Sequence, residues 1–457
     1  MSIEGCDMQY FTPEGSFFVG DCMPFFHEGT FHLFWLLDEN HHQSRGGLGC
    51  HQWAHSSSTD LINWEHHPLA IGIDEDWEGS ICTGSVFYHD GTYYAYYATR
   101  MPDRKQHLSL AISTDGIQFE KMQPNPFASP EKGYSPYHYR DPHVFLDEQT
   151  GLFHTVVTAM LEDYSIPDRG GCLAHLISND LKDWELAEPF LIPGYPGAVP
   201  ECPDYFHWNG WYYLIFSCYG VARYRMSRKP LGPWVRPGVD TFDGPMARVM
   251  KTAAFKDNRR IGVAFIGTRE GDKDNGGVQY AGNAVFREIV QHDDGTLGAK
   301  FPVKMIPESG DVLSLPFTAL TSGVTRFQIK AVEGFEAGML TGVPTDARIT
   351  VQVKPKAGSA AFGLRLRGSG NYEGGYELRF SPYEQKVELQ GQSISCVDGI
   401  DKPFALDVIL KGDIIDVCVD NRRCLIDRCP ELRGDRLFLF CQNGEVAFDS
   451  MEIRPLL

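Results

Sequence analysis

Three acidic residues stand at one phase of an internal repeat, and carboxylates brought together in this way are equipped for glycoside hydrolysis. Five segments share a turn residue, one or two aromatics and an apolar run. They are HEGTFHLFW (27–35), HDGTYYAYY (89–97), QTGLFHTVV (149–157), WNGWYYLIF (208–216) and the weaker DNRRIGVAF (257–265). Asp21, Asp141 and Glu201 precede the turn glycines Gly29, Gly151 and Gly210 by eight to ten residues. Acids at one phase of a repeat converge in space. A retaining glycosidase needs a carboxylate nucleophile and a protonated carboxylic acid about 5–5.5 Å apart. The acid keeps its proton only if burial or a neighbouring negative charge raises its pKa. Three converging acids can supply all of this: one attacks, one donates, and the third holds the sugar. Arg140, next to Asp141, is placed to keep that carboxylate ionised.

The elements that must position these acids can be read from a second repeat. Ser-x-Asp followed by Trp or Phe recurs in SSTDLINW (57–64), ISTDGIQF (112–119) and ISNDLKDW (177–184), with a looser copy in MSRKPLGPW (226–234). Spacings of roughly 50–65 residues fit propeller blades better than a helical solenoid. Each unit reads as an acid-bearing strand, a turn, an aromatic strand, a strand ending in Ser-x-Asp and an edge strand, with almost no helical periodicity. Five units account for residues 1–305. The first strand of a propeller blade lines the central axis, so the acids are expected at one mouth of the channel. Tyr93, Tyr94, Tyr212 and Tyr213 are expected to pack between blades.

From 313 to 457 the texture changes to period-two alternation, in RITVQVK (348–354), FGLRLRG (362–368), YELRFS (376–381), KVELQG (386–391), FALDVIL (404–410), IIDVCVD (414–420) and RLFLFCQ (436–442). Such alternation with short turns marks a β-sandwich. The fold class is therefore all-β, a five-bladed β-propeller followed by a C-terminal β-sandwich. The sandwich has no matching set of acids and reads as a supporting module.

Composition narrows the function further. A net charge of −19 argues against nucleic-acid and membrane partners, both of which need a positive surface. Twelve cysteines lie without a CxxC pair, and Cys424 and Cys429 are wrongly spaced for a zinc knuckle. Reduced thiols and an N-terminus (MSIEGCDMQYF) without a basic start and apolar stretch point to a cytoplasmic protein. Among the sixteen histidines, the pairs His41-His42 and His66-His67 would point to opposite faces if they lie on strands, so no metal site is expected. No cofactor is implied, and the expected partner is a small carbohydrate.

The contexts of the acids carry a family resemblance. Glu201-Cys202-Pro203-Asp204 reproduces the ECPD motif of glycoside hydrolase family 32, the invertase, inulinase and levanase group, and Arg140-Asp141-Pro142 reproduces its RDP motif. Trp53 through His55, Asp60, Leu61 and Trp64 resembles a further block of that family, as does GNAVFREIV (282–290). The resemblance implies a five-bladed propeller with a β-sandwich. It also implies Glu201 as general acid/base, Asp21 as nucleophile and Asp141 as the transition-state stabiliser that holds sugar hydroxyls.

The departures concern the sugar-recognising residues. The nucleophile motif keeps only Asp21; the preceding asparagine is Gly20, a glutamine falls on Leu36, and FSGS becomes Cys82-Thr83-Gly84-Ser85. A lost polar partner in a sugar pocket costs about 1–3 kcal/mol. Candidate substrate-binding residues are Arg140, Trp53, Thr83, Ser85, Trp35, Cys202 and His42, with Trp77 as a further apolar wall and Arg100 and His55 as other polar candidates. The expected activity is retaining hydrolysis of terminal β-D-fructofuranosyl residues from sucrose or short fructo-oligosaccharides through a covalent glycosyl-enzyme intermediate. Alternatives are another furanoside such as an arabinofuranoside, fructosyl transfer, or a carbohydrate-binding propeller without turnover.

Overall fold

The structure is a computed structural model that describes residues 8–457. Residues 1–7, part of the segment read for an export signal, lie outside the described residues. The regular secondary structure is almost entirely β-strand, arranged as a five-bladed propeller and a sandwich.

The first blade runs outward through Phe17–His27, Thr30–Glu39, Gln52–Ser58 and Glu65–His66. The second comprises Ser80–His89, Thr92–Arg100, Gln106–Ser113 and Glu120–Lys121. The third comprises Tyr134–Asp147, Leu152–Leu161, Gly171–Ser178 and Glu185–Leu191. The fourth has Glu201–Trp208, Trp211–Cys218 and Val221–Ser227, and its edge is reduced to one bridge between Met226 and Val235. The fifth has Arg248–Phe255, Arg259–Arg269, Val278–Gln291 and Leu297–Lys300. Short pairings from Val221 to Arg248 and from Val19 to Gly282 join the fourth, fifth and first blades into one sheet and close the ring.

Both sequence repeats have a structural cause. In the Ser-x-Asp copies the serine hydroxyl caps the turn, accepting the N–H of Leu61, Gly116 and Leu181 at 2.8, 2.9 and 3.0 Å from Ser58, Ser113 and Ser178. The aspartate two residues on accepts the next N–H groups, such as those of Ile62 and Asn63 at 2.8 Å, and so delivers the chain to the edge strand. The acid phase marks a β-bulge. In every blade the innermost strand spends three residues where its neighbour spends two, between Val19 and Cys22, Ile81 and Gly84, Arg140 and His143, Glu201 and Asp204, and Arg248 and Lys251. A bulge bends its strand and re-aims the extra side chain, so five bulges at one level direct residues into one channel mouth.

Between blades the packing is aromatic and apolar. Tyr213 is fully buried and Tyr96 sits edge-on to Trp184, whereas Tyr93, Tyr94 and Tyr212 are only partly covered. After Lys300 a single 3-10 turn, Val303–Met305, leads toward the first sandwich strand, Phe317–Ala319. All seven alternating segments are strands, and Gln328–Thr341 and Arg423–Arg428 join them. The twenty-residue strand Arg436–Pro455 passes through both layers, pairing with Ala361–Ser369 by its first half and Ala347–Pro355 by its second. The sandwich docks on the fifth blade. Fully buried Arg287 donates to both oxygens of Asp416 at 2.8 Å and to Asp243 at 2.6 Å, and the Tyr10 hydroxyl donates to Asp416 at 2.7 Å.

Candidate active site

The five bulges open onto a cavity of about 650 Å³, within the roughly 300–1,000 Å³ usual for small-ligand sites. Asp21, Asp141 and Glu201 all line it. They hold different stations: Asp21 is the second bulged residue of its blade, Asp141 the first, and Glu201 the residue just before the bulge. Asp141 and Cys202 have positive φ, 56° and 52°, the conformation that lets the strand turn its side chains toward the axis.

Asp21 is buried among donors. Its Oδ2 accepts the Thr83 hydroxyl at 2.5 Å and the Cys202 thiol at 3.5 Å, and its Oδ1 accepts the Tyr280 hydroxyl at 3.1 Å. Asp141 accepts the Thr158 hydroxyl at 3.0 Å and the Cys202 backbone N–H at 3.1 Å. Burial raises its pKa above the ordinary carboxylate value; Arg140 opposes this, and Asp21 and Glu201 add to it. Glu201 is the most accessible of the three, its side chain 36% exposed. Arg140 ties the set together, donating to Glu201 Oε1 at 2.6 Å with its Nε 3.6 Å from Asp141. Gln106 and His138 hold the other side of the guanidinium at 3.2 Å. A planar cation bridging two carboxylates fixes their separation.

The opposite wall is basic. Arg100 donates to His42 Nε2 at 2.7 Å and to the Leu48 carbonyl at 2.9 Å. His51 donates to Asp38 at 2.9 Å and stacks on Tyr280. Asp38, His42 and His51 bring three ligand atoms within 4.8 Å of one another. A guanidinium in contact with one of the rings disfavours a second cation there. Further down the channel, buried Lys251 donates to the carbonyls of Gly84 at 3.0 Å and Pro203 at 2.8 Å. It thereby anchors the second and fourth bulges from below.

Of the residues expected at the substrate, Arg140, Thr83, Cys202 and His42 line the cavity, together with Arg100 and the apolar replacement Leu36. Trp35, Trp53 and Ser85 do not, and each expectation is corrected. Trp35 neighbours Leu36 on a strand, so it points to the other face and packs in the core with Leu33 and Phe31. Trp53 is fully buried between blades and donates its indole N–H to the Cys82 carbonyl at 2.8 Å, supporting the wall from behind. The Ser85 hydroxyl donates to the Pro142 carbonyl at 3.0 Å and accepts the Val144 N–H at 3.2 Å, clamping the second blade to the third. Trp77 lines a separate cavity with Glu78 and Lys121, and His55 is stacked on Phe34 in the core. His41 and His42 stand in a turn with positive φ, not on a strand; His41 stacks on Phe18.

Sequence reasoning missed His51, Tyr280, Arg104, Arg248 and Val249, all of which line the cavity. The one available signal was the glycine at position 20, which leaves room beside Asp21 for the Tyr280 hydroxyl.

Residues 11–234 match the family described as Glycosyl hydrolases family 32 N-terminal domain. The chain is 28% identical to a sucrose-6-phosphate hydrolase of Bacillus subtilis over 204 residues, covering 42% of this chain and 40% of that protein. It is 30% identical to a probable sucrose-6-phosphate hydrolase of Psychromonas ingrahamii over 312 residues, 61% of this chain and 53% of that one. The matched regions thus span about half or less of these relatives. Over nearly its whole length the chain superposes on fructan 1-exohydrolase IIa from Cichorium intybus, with TM-score 0.74, 16% identity and coverage of 99% and 98%. It does so equally on an exo-inulinase from Aspergillus awamori, with TM-score 0.74, 17% identity and coverage of 100% and 99%. At such identities the superpositions speak for the fold. With its five-bladed architecture and its N-terminal domain matched, the chain belongs to glycoside hydrolase family 32.

Proposed function

We propose that the protein is a retaining glycoside hydrolase that releases terminal β-D-fructofuranosyl residues from sucrose or short fructo-oligosaccharides. The observation that carries this reading is the meeting of three carboxylates from three blades in one cavity, bridged by Arg140. Asp21, held by Thr83 and Tyr280, attacks the anomeric carbon and forms a glycosyl ester as the glycosidic bond breaks. Glu201, the most accessible acid, gives its proton to the departing oxygen, then takes one from the water that cleaves the ester. Asp141, buried beside Arg140, binds ring hydroxyls as positive charge develops on the sugar. The relatives named sucrose-6-phosphate hydrolase and raffinose invertase support the substrate class.

A second reading concerns the substituent on the sugar. Arg100, Arg104 and Arg248 line the cavity, and among the described residues none of them has a carboxylate partner. In a protein with net charge −19, this local excess of cations favours an anionic group such as a phosphate ester on the substrate. The test is hydrolysis of sucrose, sucrose phosphate, kestose, inulin, levan and aryl furanosides, run beside Asp21→Asn and Glu201→Gln. Each variant is expected to lose on the order of 10³-fold or more in kcat. Wild-type turnover by both variants overturns the mechanism, and cleavage of a non-fructose furanoside alone overturns the substrate.

A further inference from the structure

The residue before the nucleophile has no side chain, and the structure shows what occupies the vacated space. A Cβ built on Gly20 would lie 2.8 Å from the Tyr280 hydroxyl and 3.2 Å from Leu36 Cβ. That hydroxyl contacts Asp21 twice, donating to Oδ1 at 3.1 Å and accepting the Asp21 backbone N–H at 3.4 Å. Tyr280 comes from the fifth blade, 259 residues away in sequence, two residues before the Gly282 that pairs with Val19 to close the ring. Its ring is flanked on two sides. It stacks on His51 at 5.3 Å and meets Phe265 edge-on at 5.2 Å. Gly20 is not among the residues with positive φ, so its backbone would accept an ordinary side chain. Glycine at 20 is therefore explained by the phenol rather than by the turn.

We propose that Gly20 and Tyr280 are a matched pair in which the absent side chain admits a phenol that positions the Asp21 carboxylate for attack. This rests on the hydrolase reading above. Where the family resemblance puts an asparagine facing the sugar, this chain directs the corresponding hydrogen-bonding capacity at the nucleophile itself. Thr83 and Cys202 hold Oδ2, and Tyr280 is the donor to Oδ1. Without it, that oxygen can rotate away from the line of attack, and a misdirected nucleophile slows the chemical step more than it weakens binding. Tyr280 is thus a positioning residue.

The test is a cycle of Tyr280→Phe, Gly20→Ala and the double variant, with kcat and KM on an aryl β-fructofuranoside and thermal midpoints for all four proteins. Tyr280→Phe is expected to lower kcat about 10–100-fold, the range for one hydrogen bond to a charged group, while KM stays within about threefold. Gly20→Ala should lower kcat comparably, because its methyl displaces the phenol. In the double variant the hydroxyl that collides is gone, so it should be no slower than Tyr280→Phe alone. Multiplying effects on kcat, or wild-type kcat in Tyr280→Phe, would overturn the proposal. The thermal midpoints make the same comparison without turnover. If the wild type cleaves no substrate of the panel, the hydrolase reading fails, while additive midpoint shifts would overturn the pairing on their own.

Discussion

Replacing Asp38 with asparagine should destabilise the protein by an amount that depends on pH in a calculable way. Asp38 is fully buried, and His51, 3% exposed, donates to it at 2.9 Å. Burial alone would push the His51 pKa down; the hydrogen bond to Asp38, with help from Cys82, outweighs it and raises the pKa from 6.5 to about 9. A group whose folded-state pKa is raised contributes stability that is fully present below its unfolded value and is lost as pH rises through the folded value. A rise of this size corresponds to about 3 kcal/mol. Asparagine keeps the size of the side chain and can still accept the His42 N–H that Asp38 accepts at 2.9 Å, so the charge is the main thing removed. Thermal midpoints of wild type and Asp38→Asn, measured from about pH 6 to about pH 10, should differ by roughly 3–5 °C at the acid end. The gap should close between about pH 6.5 and pH 9. A gap independent of pH, or one that widens with pH, would show that His51 is not held protonated by Asp38.

Two further outcomes follow from the buried ion pairs. Arg140→Met leaves Asp141 buried with no counter-charge and frees Glu201. Losing one partner of a buried pair costs about 3–5 kcal/mol, so both the thermal midpoint and kcat/KM should fall, and a variant with unchanged kcat/KM would remove Arg140 from the site. Arg287→Leu strands Asp416 and Asp243 where the fifth blade meets the sandwich, at a similar cost of about 3–5 kcal/mol. Calorimetry should then resolve separate transitions for propeller and sandwich, and a single unshifted transition would show that the docking lies elsewhere.

The acids and the blades were legible in the sequence because both are local. The Ser-x-Asp turns are built from hydrogen bonds between residues two to three apart, and each acid lies within ten residues of its own hairpin turn. What misled was parity. A bulge inserts one residue into an alternating strand and reverses the face of everything beyond it relative to its neighbour. Counting along a strand therefore could not tell that Ser85, just beyond the bulge of the second blade, lies behind the cavity wall. Tyr280 and His51 were invisible for a different reason: the first meets Asp21 only through closure of the ring, and the second gains its role from a turn whose residues all look like loop.

The five bulges also make the propeller an unusually adaptable scaffold. Each is a socket whose flanking ladder is set by paired backbone, so the residue it presents can change while the frame stays in register. Four sockets are in chemical use, by an aspartate, a threonine, a second aspartate, and a cysteine preceded by a glutamate. The fifth presents Val249, a β-branched residue held at φ 55°, a conformation that asparagine or glycine adopts far more readily. Its side chain borders the cavity and makes no polar contact there. A place for a new polar contact with whatever the cavity binds already exists at a position where the backbone would welcome the exchange.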